Sequence, residues 1–226
     1  MDFKRRGTSN LDIRSRKLKT KLIVFRDKHF NLRSILKLIL PIVIVAALMP
    51  VALYFLVTWT YQRRTITTPQ EIPLELRTGV VMLRQEDILY DFDNARQLIN
   101  QMLDLYTKKR VTQVFIIAYN DNRTVVSSIE PFEQFFKDIP TDNYKIDISA
   151  KNIFEACNTI SEKYQTQKFL LTSYRNVLPR MSYACNVEGQ YVKPYLPREY
   201  QFTTQEDDFK DTLDIILKSI FPNTQE

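Results

Sequence analysis

Leu178, Pro179 and Arg180 set a guanidinium on the first turn of a predicted helix that directly follows a short predicted strand. A cation there opposes the helix dipole, so the position asks for an anion, either a ligand or a side chain. An Arg fork holds a carboxylate or phosphate through two parallel bonds. Glu155, near the start of the preceding predicted helix, is the candidate counter-charge. Asn152 and Glu155 also have the spacing of a capping box, and such a pair is more often a helix cap than a site.

Other chemistries are excluded by what is scarce. The glycines are Gly7, Gly79 and Gly189, so neither GxGxxG nor GxxxxGK[ST] can be written anywhere in the chain. The one histidine, His29, precedes a long apolar run, which leaves the remainder without Ser-His-Asp or Cys-His chemistry and without a His-based metal cluster. Cys157 and Cys185 are too few for a zinc site by themselves. Both fit apolar stripes of predicted helices, where free Cys is commonly buried, and the expectation is two free thiols. A location outside the cytoplasm would permit a disulfide instead.

The apolar run covers residues 38–59 and holds no charged side chain. As a helix it would extend roughly 33 Å, close to the hydrocarbon thickness of a bilayer. Tyr54, Trp59 and Tyr61 gather at its end, where amphipathic rings favour the headgroup level. Residues 1–37 carry 12 Lys or Arg against 3 acidic side chains, a formal +9, whereas residues 60–226 carry 20 against 23, a formal −3. The positive-inside rule then predicts a cytoplasmic N-terminus and an extracytoplasmic C-terminal region in the cell membrane. The long basic arm and long apolar core are those of an uncleaved signal-anchor, not of a cleaved signal peptide. The partners expected are the lipid bilayer and, for the arm, anionic inner-leaflet lipid. With the basic excess confined to the arm, no nucleic acid is expected.

The expected organisation is a basic cytoplasmic arm (1–37), a transmembrane helix (38–61), a linker (62–77) and one α/β domain (78–226). The linker carries Pro69 and Pro73, shows no helical period and would hold the domain off the membrane. In the domain, strands are predicted over 80–83, 111–119, 144–148, 168–172 and 190–192. Helices are predicted over 87–106, 131–137, 152–164, 178–186 and 205–221. Alternation at this spacing implies a mainly parallel, Rossmann-like sheet with helices on both faces. Ligands in such sheets sit beyond the C-terminal strand ends, which directs attention to residues 84–87, 120–126, 149–152 and 172–180.

The order of these segments resembles the SanA/ElyC/YdcF family of bacterial envelope proteins over about residues 79–200. The segments that carry the resemblance are FIIAYND (115–121), Glu133 in PFEQF, SAKNIFEAC (149–157), FLLTSYRNVLPRMSYAC (169–185) and GQYVKPYLPREY (189–200). Asn152, Glu155, Thr172 and Arg180 match family positions lining the strand-end loops. With Asn120 and Glu133 they form the candidate ligand-binding set. Several positions depart from the family pattern: Ala118 and Tyr119 replace a small Ser-Gly pair, Ile153 replaces Thr, and Ala156 replaces Asn. Asn176 or Val177 stands in place of His, and Asp91 in place of an Arg. The resemblance implies a role in envelope integrity or cell-wall precursor metabolism, through a domain that binds a small anionic or polar ligand, with other envelope proteins as partners. Two alternatives are an inactive membrane-anchored interaction module, and a hydrolase or transferase acting on a phosphorylated or lipid-linked precursor through Glu133 and Glu155. No catalytic residue, metal ligand or cofactor is assigned. Asn152 and Glu155 could simply cap a helix, Thr172 end a strand, and Glu133 face solvent.

Overall fold

The computed structural model describes residues 32–120, 130–199 and 208–220. Most of the predicted basic arm, and the predicted loop beyond Asn120, lie outside them. The first element is helix α1, Leu32–Arg64, with Pro41 and Pro50 inside it. Its stretch Lys37–Arg64 is long and apolar enough to cross a membrane, and an 18-residue window within it has a mean hydropathy of 2.6 and no buried residue. A core helix of such composition would be covered by protein, yet Leu38 is 68% and Phe55 63% exposed. These features support a single-pass membrane protein.

The compact unit that contains the sheet begins at Ala52, so the last turns of α1 belong to it. Where the sequence suggests a spacer, the helix instead runs on to Arg64 and the chain joins the sheet almost at once. The Ile66 amide donates to the Pro194 carbonyl at 2.8 Å, and the Leu196 amide donates to the Ile66 carbonyl at 3.0 Å. Ile72 and Leu76 then enter the core.

The sheet comprises β1 (Thr78–Arg84), β2 (Gln113–Tyr119), β3 (Tyr144–Ala150), β4 (Lys168–Thr172) and β5 (Tyr191–Pro194). All neighbours are parallel, in the order β3-β2-β1-β4-β5. The helices of this domain are α2 (Gln85–Tyr90), α3 (Phe92–Thr107), α4 (Glu130–Glu133), α5 (Ile153–Asn158), α6 (Leu178–Val187) and α7 (Asp208–Ile220). Strands β1, β2 and β4 are almost wholly buried, as continuous apolar runs between two helical layers must be. Right-handed crossovers place α3 on one face of the sheet and α5 and α6 on the other. Gly79 permits a close approach of β1 and α3, since a Cβ there would lie 2.1 Å from the Met102 sulfur.

The predicted helix over 87–106 is in fact two, broken at Asp91 (φ −142°, ψ 51°). The Asp91 carboxylate accepts from Asn94 Nδ2 at 2.6 Å, and its carbonyl accepts the Ala95 amide at 3.1 Å. Asp91 thus stands at the N-cap of a new helix, its carboxylate held by the Asn94 side chain and not by a helix amide. The predicted helix over 152–164 finishes as a π turn, Thr159–Lys163.

The expectation of two free thiols is overturned, because Cys157 on α5 and Cys185 on α6 form a disulfide with a Cα–Cα distance of 5.1 Å. Both helices pack on the same face of the sheet, so the two apolar stripes that bury the sulfurs face each other. Burial and pairing are therefore satisfied together.

Candidate functional site

The strand order reverses between β1 and β4, which is where ligands bind in open parallel sheets. Val81 pairs with Thr172 in the parallel register, which brings the carboxyl ends of the two strands side by side. Strand β1 ends on Arg84 and turns straight into α2 without a loop. The Arg84 fork grips Asp87 at both oxygens, Nη2 to Oδ1 at 3.1 Å and Nε to Oδ2 at 3.4 Å, with Glu86 Oε2 3.6 Å from Nη1. Burial pushes the Asp87 carboxyl above its usual range, and the neighbouring Arg84 charge only partly offsets that.

On the β4 side, Thr172, Ser173 and Tyr174 follow one another, all buried. The Tyr174 phenol is pushed above its ordinary range, first by burial and then by the Asp87 and Asp91 carboxylates, so it stays a neutral donor. It donates to the Asp91 carbonyl at 3.5 Å. Thr172 Oγ1 and Ser173 Oγ are buried with no hydrogen-bond partner among the described residues. Most buried hydroxyls are paired, so two consecutive unpaired ones at a strand end call for an explanation.

The two strand ends differ in the charge they would accept. The first turn of α2 already holds Glu86 and Asp87. An incoming anion would be repelled there. The first turn of α6 holds no acid, and α6 begins just after the unpaired hydroxyls. A polar or anionic group would therefore be better accommodated toward β4 and the start of α6 than at α2.

The residues singled out from the sequence are dispersed. Asn120 is half-buried at the end of β2, and its amide donates to the Ala150 carbonyl at 3.0 Å. Glu133 is exposed on α4. Asn152 caps α5, its Oδ1 accepting the Glu155 amide at 2.9 Å. The exposed Glu155 carboxylate accepts the Lys151 amide at 2.8 Å, which completes a cap of capping-box type. Arg180, which is 2% exposed, reaches Asp211 on α7 at 3.3 Å. The expected Arg180–Glu155 pairing is thus replaced by Arg180–Asp211. Of the six, Thr172 falls at the switch point. Arg84, Asp87, Ser173 and Tyr174 join it there. The i,i+3 Arg–Asp pair at the end of the first strand, inside a segment the sequence already marks, was the available signal for the first two.

A second polar cluster braces the edge strand β3. Asp147, 5% exposed, accepts from Lys163 Nζ at 2.5 Å, Tyr164 Oη at 3.1 Å, and the Ser149 amide and hydroxyl at 2.9 and 2.6 Å. Burial alone would raise its pKa, but the bonds from Lys163, Ser149 and Tyr164 outweigh burial and hold it at about 2. These partners saturate the carboxylate, so the cluster is structural. Among the described residues no group of acidic, Cys or His side chains could hold a metal ion.

Comparison with known proteins places the chain beside none of them: no family model matches it, and neither does any curated protein or solved structure.

Proposed function

We propose that this chain is a signal-anchored cell-membrane protein of SanA/ElyC-like descent, whose extracytoplasmic α/β domain binds a small anionic or polar ligand in envelope integrity or cell-wall precursor metabolism. The reading is carried by one observation, the unpaired buried hydroxyls of Thr172 and Ser173 at the β1/β4 switch point. A ligand that accepted their hydrogen bonds would remove the desolvation penalty of two unpaired hydroxyls. Orientation rests on the +9 arm, and the Cys157–Cys185 disulfide supports an oxidising side of the membrane for the domain. Glu133 and Glu155 are exposed and Glu155 is engaged in a cap, so carboxylate catalysis by that pair is not adopted.

The test is thermal unfolding of the full-length protein in nanodiscs with inorganic phosphate, pyrophosphate and a panel of sugar phosphates. The expected result is a rise in Tm with at least one probe that is lost in Ser173→Ala. A flat response across the panel would favour a second reading, an interaction module that kept the fold without a ligand. The buried ring of Tyr119, standing where the family has a small residue, is the observation on that side.

A further inference from the structure

Helix α7 has two apolar faces, and the protein covers one of them. Thr212, Ile215 and Ile216 are buried, with Ile216 against Val57 and Tyr61 of α1, and Ser219 Oγ lies 2.8 Å from Tyr183 Oη of α6. Beside this face runs a stripe at spacings of four, four and three: Phe209, Leu213, Leu217 and Ile220. Leu217 is 51% and Ile220 52% exposed, and Phe209 is exposed as well. The third face is charged, with Lys218 Nζ and Asp214 Oδ2 paired at 2.6 Å.

The position of the stripe relative to α1 indicates what covers it. The Phe209 ring meets the Tyr54 ring edge-on at 5.2 Å. Tyr54 lies inside the uncharged run, five residues before Trp59, hence about 7 Å deeper along the helix. Trp59, 54% exposed and topped by the Arg63 guanidinium 3.8 Å from its centroid, has the character of an interfacial anchor. Phe209 is therefore held at the level where hydrocarbon begins. An amphipathic helix lying in the interface buries its apolar face about 5–10 Å into the headgroup and acyl boundary.

We propose that α7 is an interfacial helix whose Phe209, Leu213, Leu217 and Ile220 stripe is buried in the bilayer surface, giving the domain a second attachment to lipid beside α1. This rests on the membrane-spanning segment alone and not on the ligand reading. It holds whichever side of the membrane carries the domain. The charged face of Asp214 and Lys218 then points to water, and the buried face stays on α6 and α1.

The test uses the full-length protein, native disulfide intact, in nanodiscs holding one copy each. Leu217→Cys, Ile220→Cys and Asp214→Cys are made singly and spin-labelled, and collision rates with oxygen and with a water-soluble nickel chelate are measured. All three positions are exposed, so the fold should survive. The expected result is an oxygen-to-nickel ratio several-fold higher at 217 and 220 than at 214. Equal ratios at all three positions would overturn the proposal. So would suppression of both collision rates at 217 and 220, because that means another protein surface covers the stripe.

Discussion

Arg180, buried at the start of α6, holds the Asp211 carboxylate of the final helix at 3.3 Å, so a residue placed to face a ligand cleft instead fastens α7 to the domain. The aliphatic stem is buried along with the charge, and removal loses packing as well as the ion pair. Asp211 remains 42% exposed, which lets water take its charge when the partner is gone. Arg180→Ala is therefore expected to cost about 2–3 kcal/mol, less than a fully buried pair would. Glu155→Gln, which alters only a cap, should stay within about 1 kcal/mol of the parent. Denaturant melts of the two variants check the contrast, and equal losses would return Glu155 to the role of counter-charge.

The disulfide makes a second expectation. Peptide mapping without reduction should recover Cys157 linked to Cys185, across a sequence separation of 28. Loop closure of that size corresponds to about 3–4 kcal/mol in the chain-entropy account. Reduction should lower the unfolding midpoint accordingly. Two alkylated thiols in denatured, unreduced protein would refute the bond.

Acid should expose the Asp147 cluster. Its folded pKa of about 2 lies below the ordinary aspartate value of 3.8, so the stability it supplies is fully present above about pH 4 and is lost as pH falls toward 2. The difference amounts to about 2 kcal/mol at most, and less after screening, since Lys163 is 60% exposed. Asp147→Asn should remove this slope from a plot of stability against pH between 4 and 2. A slope unchanged in the variant would move the acid lability elsewhere.

Thr172→Val replaces a buried, unpaired hydroxyl with a methyl of similar size on a strand that favours β-branched residues. The unliganded protein should gain about 1 kcal/mol, because the desolvated oxygen has no bond to lose. A loss of 1 kcal/mol or more in thermal or denaturant unfolding would mean that the hydroxyl has a partner in solution.

Strand and helix positions were largely readable because their signals are local. The alternation of apolar runs with three-and-four spacings located all five strands within a few residues, and with them the parallel sheet. The Asn152–Glu155 cap was equally local. The disulfide was not legible, because a stripe that buries a thiol looks the same whether or not another sulfur faces it. Nor was the Arg180–Asp211 pair, which joins residues from two helices whose packing no spacing specifies. The switch-point cluster was half readable. The segments 84–87 and 172–180 stood out as strand-end loops, but the grouping of Arg84 and Asp87 with Tyr174 depends on which strands are neighbours.

Thr65 is the one residue between the last turn of α1 and the bridge at Ile66, and it too is fastened, its Oγ1 donating to the Tyr61 carbonyl at 2.8 Å. The joint therefore behaves as a rigid coupling and not as a string. A tilt or rotation of those last turns is delivered to the β5 edge as torque, without slack to absorb it.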